Sequence, residues 1–322
     1  MKRQAGVGQD TEIKGAECIN GPLSPLMRKM SEAILSERLP IGNYVVERRY
    51  MVMALILENL FDPLYNPLLG NEWTHPTEIK KNIANHLYAN LSPATVALAG
   101  RAFTESEDAQ LNSLLAAIQA EIDDAPVVDG VDIPTTLEGV RPAIPDLAAS
   151  LRAVMRRAGP PIRLSRGGIK SPNTPSFFYF VMHFEHLFDG IPNSGVRVVF
   201  DSSTQFDATF EDLVQVCINA TPHILLFRGH PPLAFGLKAI TGFEVENSAT
   251  EPLLQIADFN AVGARKAFEL ALATDKPESL SPALTYHLGF LAEKLRGGHF
   301  NYVISDHLAR LFWDTMHHYA AE

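Results

Sequence analysis

Two aspartates carry the clearest chemical signal in this chain. Asp201 closes Val196-Arg-Val-Val-Phe-Asp201, a β-branched and aromatic run that reads as a strand. Asp258 sits inside Leu253-Leu-Gln-Ile-Ala-Asp-Phe-Asn-Ala-Val262, a run that reads as a helix. In open α/β sheets ligands gather beyond the carboxyl ends of strands, so Asp201 stands where a ligand would be met. The competing reading is a turn that Asp201 starts with Ser202, Ser203 and Thr204 through its own side chain. Residues on every side of Asp258 are apolar or small, which predicts a helix buried nearly all round. A carboxylate there costs several kcal/mol unless it is paired, hydrogen-bonded or bound to a metal. Gln255 one turn earlier, and Arg265 and Lys266 two turns later, are the partners at hand, so a structural salt bridge competes with a site. Two such acids together suit Mg²⁺ or Mn²⁺, hard cations that keep positions open for substrate phosphates. Two ions in one acidic cluster would hydrolyse a phosphodiester by activating water and steadying the leaving oxygen.

A second feature bears on phosphates. The formal net charge is −10, which repels nucleic acid unless basic residues are concentrated locally. They are concentrated between Leu147 and Phe184, a stretch with no acid that contains Arg152, Arg156, Arg157, Arg163, Arg166 and Lys170. One reading is an anion-facing patch, with Arg152, Arg156, Arg163 and Lys170 contacting a nucleic-acid backbone. The other is a solvated helix face followed by a loop.

The elements that must hold these residues follow from periodicity. Leu23, Leu26, Met27, Met30 and Ile34 predict a helix to about Arg38, Asn43 to Arg48 a strand, and Met51 to Leu60 a buried helix. Thr104 and Glu107 form a capping-box pattern ahead of Leu111, Leu114, Leu115, Ile118 and Ile122. Pro126 to Pro145 reads as a loop, followed by a short helix with Leu147, Leu151, Val154 and Met155 inward. Phe177 to Phe188 is an aromatic helix whose His183 and His186 could offer two metal ligands, although packing against Phe184 and Phe188 is the better reading. Beyond Asn193 the texture becomes strand, helix, strand: 196–201, 206–218, 223–227 and 241–246. That succession implies a βαβ unit with parallel strands. Pro252 opens a long helix at its first turn, and further helices cover 284–295 and 303–319. Ser165-Arg-Gly-Gly-Ile-Lys-Ser has an isoleucine where a phosphate loop needs glycine before the lysine, and neither GxSxG nor GxGxxG occurs in a suitable context.

The chain of 322 residues can bury a large core, and 46% hydrophobic with 20% charged residues is ordinary for a globular protein. No apolar run reaches the roughly 18 residues that span a bilayer, and the polar start has no secretory h-region. Cys18 and Cys217 are too few and too far apart for a disulfide framework. A cytoplasmic protein without a membrane partner is the expectation.

The segment Glu251-Pro-Leu-Leu-Gln-Ile-Ala-Asp-Phe-Asn-Ala-Val resembles the LQ-hydrophobic-AD-hydrophobic helix of the bacterial family named domain of unknown function 3800. Val-Val-Phe-Asp201 resembles that family's acid-bearing strand, and Thr11-Glu-Ile-Lys-Gly its early Glu-x-Lys segment. The resemblance runs over about 190–272 and is faint before 60. It implies an RNase H-like fold with acids placed like those of metal-dependent nucleases, with Asp201 and Asp258 as metal ligands and Glu12 as a third acid. The family's opening strand with its Asp-Glu-Ser motif has no counterpart here, which implies a truncated chain or a degenerate, inactive member. The expected architecture is therefore α/β: an RNase H-like mixed sheet with a helical insertion and a helical C-terminal extension. Its parts would be a partial N-terminal portion over 1–50, the insertion over 51–190, the α/β core over 191–272 and C-terminal helices over 273–322. The expected activity is metal-dependent phosphodiester hydrolysis, and the alternative is a non-catalytic RNase H-like binding module.

Overall fold

The structure is a computed structural model that describes residues 24–37, 43–62, 77–122, 127–149, 173–188, 195–202, 207–220, 223–225, 233–274, 280–296 and 300–320. Glu12 and all of Arg152, Arg156, Arg163 and Lys170 lie outside these residues. In chain order the elements are α1 (Ser24–Ser36), β1 (Asn43–Val46), α2 (Arg48–Phe61), α3 (Thr77–Asn90), α4 (Pro93–Glu105) and α5 (Asp108–Ile122). Then come β2 (Val127–Val128), β3 (Val131–Asp132), α6 (Ile133–Val140), α7 (Asn173–Phe188), β4 (Val196–Asp201) and α8 (Asp207–Asn219). The remainder is β5 (His223–Leu225), β6 (Leu233–Phe235), β7 (Ile240–Glu246), α9 (Pro252–Leu272), α10 (Pro282–Arg296), β8 (Phe300–Val303) and α11 (Asp306–Ala320). The described chain is thus mostly helical with mixed α/β content. Its strands form four two-stranded sheets among the described residues: β1 with β8, β2 with β3, β4 with β7, and β5 with β6.

The chain divides into two compact units. One comprises Met1–Val45, Val199–Ser203 and Glu244–Glu322; the other comprises Val46–Val198 and Thr204–Phe243. In the first, α1, α9, α10 and α11 share one core built on Met30, Ile34, Phe259, Phe268, Leu288, Phe312 and Tyr319. The rings of Phe268 and Phe312 stack with centroids 4.1 Å apart. The helices after residue 273, the expected C-terminal extension, are part of the packing that holds the Asp258 helix.

The second unit is a helical assembly with the expected dense core. Met53, Ile56 and Leu60 of α2, Ile83 and Leu87 of α3, and Leu111, Leu114, Leu115, Ile118 and Ile122 of α5 are all buried. Ser92 caps α4 by accepting the Thr95 N–H, with Pro93 in the first turn, where a missing N–H costs nothing. Glu121 of α5 accepts from the Ser92 N–H, Ser92 Oγ and Thr95 Oγ1, each at 2.7 Å, and ties the two helices together. The Arg49 Nη2 donates to the carbonyls of Tyr88 and Leu91, both at 2.7 Å, and satisfies the end of α3.

Two expectations change here. Thr104 lies inside the last turn of α4, which stops at Ser106 in the left-handed region (φ 54°), so α5 begins only at Asp108. The stretch from Pro126 to Pro145 is no plain loop. A small hairpin at Val127–Asp132 leads into α6, whose N-cap Asp132 accepts the Thr135 N–H at 2.9 Å.

Candidate functional site

Asp201 stands at the end of β4, and hydrogen bonds fix that strand's direction. The Val196 N–H donates to the Ala239 carbonyl and the Ser202 N–H to the Glu246 carbonyl, both at 2.9 Å. Both strands advance together from the first bond to the second, so β4 and β7 are parallel. The parallel partner of β4 is thus β7 rather than the strand at His223 that directly follows the helix, the pairing that the strand, helix, strand succession predicts. The intervening strand at His223 does not join them among the described residues; it pairs antiparallel with Leu233–Phe235 as a separate hairpin. Along β4, Val196, Val198 and Phe200 are half-buried while Arg197, Val199 and Asp201 are exposed. Alternation of this kind marks a strand with one wet face.

Asp201 reaches across rather than forward. Its Oδ1 accepts the Ser248 N–H at 3.1 Å. The segment after β7 is a tight turn: Asn247 Oδ1 accepts the Ala249 N–H at 2.8 Å, and the Asn247 carbonyl accepts the N–H groups of Thr250 and Glu251. Gln255 in the first turns of α9 returns its amide to the Ser248 carbonyl at 2.5 Å and that of Ala249 at 3.3 Å. Asp201, Ser248 and Gln255 thus form a relay from the strand end to the helix that carries Asp258, three residues beyond Gln255. Gln255 and Asp258 lie one turn apart along that helix.

The burial of Asp258 differs from expectation. It is half-buried, and α9 has an exposed face with Leu253, Ala257, Ala261, Arg265 and Glu269. Leu254, Gln255, Phe259, Gly263, Ala267 and Phe268 form the buried face. Alanine costs little on either side of a helix, so a run rich in it conceals an amphipathic element. The buried polar side chain near the helix start is Gln255, 4% exposed, rather than the acid. Arg265 pairs with Glu269 at 3.3 Å, and Lys266 pairs with the same carboxylate.

As donors, two carboxylates fit a hard divalent cation, and an acid whose second oxygen is oriented by a backbone N–H is a normal ligand environment. No group of three or more His, Cys, Asp or Glu side chains comes together among the described residues. The structure thus brings Asp201 and Asp258 into one unit, joined through Ser248 and Gln255, while Glu12 and the basic residues are outside it.

Three buried polar constellations escape a reading based on strand ends. Glu185 of the aromatic helix α7 is 6% exposed and accepts the backbone N–H groups of Lys238, Ala239 and Ile240 at 2.7–3.1 Å. It fastens α7 to the start of β7, and more than two turns earlier on the same helix Phe177 stacks on Phe210 with centroids 3.9 Å apart. Glu58 and Asp62 lie one turn apart at the end of α2, and Lys80 of α3 pairs with Asp62 at 2.5 Å. Burial, then the Asp62 charge, pushes the Glu58 carboxyl up to about 7, against an opposing pull from Lys80. His287 of α10 is fully buried, and burial alone lowers it to about 4. An acid or histidine embedded in an apolar helical run is the signal common to all three. Cys217 is also buried, which raises its thiol to about 11 and leaves it unreactive near neutrality.

No helix among the described residues is long and apolar enough to cross a membrane. Comparison of the chain with family models, with curated proteins and with solved structures finds no match in any of the three.

Proposed function

We propose that this chain is a divalent-metal-dependent, nuclease-like protein of RNase H-like architecture, related to the domain of unknown function 3800 family. Asp201 and Asp258 are its metal ligands, Glu12 completes the acidic set, and Arg152, Arg156, Arg163 and Lys170 hold a phosphate backbone. The observation that supports this reading is the relay from Asp201 through Ser248 to Gln255, which orients an acid at a parallel strand end toward the turn that opens the second acid's helix. A bound Mg²⁺ or Mn²⁺ would supply a water of lowered pKa and neutralise charge on the phosphate. The chain's own contribution is to present two carboxylates and to fix the orientation of one of them. A second reading rests on the same bond: Asp201 is a strut between strand and loop in a non-catalytic binding module.

Two measurements separate these readings. Mn²⁺ at about 100 times its dissociation constant should stabilise the wild type by about 2.7 kcal/mol, a rise in Tm of about 5 °C or more. Asp201→Asn keeps an oxygen for the Ser248 N–H but removes the charge, so Asp201→Asn and Asp258→Asn should each abolish that rise. A wild type indifferent to Mn²⁺ leaves the strut and the binding module. For the basic segment, affinity for a short labelled DNA or RNA should fall steeply with salt, as counterion release requires. Replacing Arg152, Arg156, Arg163 and Lys170 together by Ser should flatten the slope. Absence of binding at low salt would make these residues a solvated face.

A further inference from the structure

The ring of His287 is enclosed by carbon. Phe259 meets it edge-on with centroids 4.9 Å apart, and Phe290 lies at 5.5 Å. Its Nε2 fills the notch left by Gly263, where an added Cβ would come within 1.9 Å of that nitrogen. Neither ring nitrogen has a hydrogen-bond partner among the described residues. An imidazolium here would have two unmet donors and no counter-charge. Helices α1, α9 and α11 pack on α10, and their charges lie at exposed or half-exposed positions. Arg28 and Glu32 of α1 pair with each other, and Arg28 lies over the ring of Tyr286, the residue before His287. On α9, Arg265 and Lys266 engage Glu269 and Asp258 is half-buried; on α11, Asp306 is half-buried and Arg310 exposed.

In the other unit the imbalance is reversed. Two carboxylates, Glu58 and Asp62, share one buried cation, Lys80, and the ion pair is made by Asp62. With Glu58 protonated the three groups sum to zero; ionising it adds a second anion with no second cation. Glu78 and Lys81 on α3, Arg101 and Glu105 on α4 and Glu138 on α6, on the helices packed on α2, are all exposed. His86 on α3 is half-buried and burial lowers its pKa, so its own smaller response to acid opposes that of Glu58.

We propose that the two units answer protons with opposite sign, so that acidification from neutral pH loosens the His287 unit while it tightens the Glu58 unit. The titration ranges agree. His287 is near 4 when folded and 6.5 when unfolded, so between those values only the unfolded chain takes up its proton. Stability of that unit falls as pH drops from 6.5 toward 4. Glu58 is near 7 when folded and 4.5 when unfolded, so the folded unit holds the proton across that interval. Its stabilising contribution is complete below 4.5 and is lost as pH rises through 7. Each pH unit inside a window changes the opening constant about tenfold.

Hydrogen exchange of the full chain, followed by segment and corrected for intrinsic rates, tests this. From pH 6.5 to 4.5, protection in α9 and α10 should fall roughly 40-fold, while protection in α2 and α3 should rise by up to a similar factor. His287→Leu should flatten only the first slope and Glu58→Gln only the second. The wild-type slopes alone decide the matter if either variant fails to fold. Slopes of the same sign in both units, or slopes that survive these substitutions, overturn the proposal.

Discussion

Gly263→Ala should destabilise the protein by on the order of 3 kcal/mol, although the same change in the interior of an exposed helix gains about 1 kcal/mol. The reversal comes from the His287 ring, whose Nε2 would lie 1.9 Å from the new Cβ. The ring cannot step aside cheaply, because Phe259 and Phe290 wall it in and residues around it are buried. Truncating the ring removes the conflict. His287→Ala alone should cost about 2–4 kcal/mol through its cavity, and adding Gly263→Ala to it should cost nothing or restore stability. A urea denaturation cycle over the four proteins measures the coupling, expected near 3 kcal/mol. Additive losses would mean that the notch has no specific relation to the ring.

Glu185→Ala should cost about 3–5 kcal/mol. Three consecutive backbone N–H groups, from Lys238 to Ile240, end on this single carboxylate. Hydrogen bonds to a charged group are worth about 1.5–3 kcal/mol each, and a buried donor left without a partner keeps its full desolvation cost. Glu185→Gln is the informative companion. It preserves volume, but one acceptor becomes an NH₂ group aimed at backbone donors, so it should lose most of the stability that alanine loses. Amide exchange at 238–240 should accelerate in both variants. A glutamine variant as stable as wild type would show that shape rather than charge fastens α7 to β7.

Much of the scaffold is legible in the sequence because its apolar periods are unbroken. The stripe Leu111, Leu114, Leu115, Ile118 and Ile122 is buried as its spacing predicts, and Pro252 does open α9. Helix ends are less legible. Thr104 and Glu107 imitate a capping box, yet the chain turns at Ser106, and the prolines after residue 126 begin a helix behind Asp132 instead of forbidding one. Pairing is hardest to read: β8 is a four-residue strand whose partner, β1, lies near the other end of the chain. For the candidate site, the position of Asp201 at a parallel strand end follows from the pattern alone. The half-exposure of Asp258 does not, because Ala257 and Ala261 look apolar in sequence and sit comfortably in water. Ser248 and Gln255 carry no signal of their own until the turn between β7 and α9 brings them to Asp201.

The hydrogen bond from the Leu237 N–H to the Cys217 carbonyl, 3.1 Å long, closes a ring of chain around residues 218–236. Everything in that ring, the β5–β6 hairpin included, leaves and returns at nearly one point. Doubling a loop's length costs only about 0.6 kcal/mol in closure entropy. Added length therefore costs little here, which makes this a splice point among the described residues. Inserting a foreign domain into the ring should leave the β4–β7 pair and α8 in place.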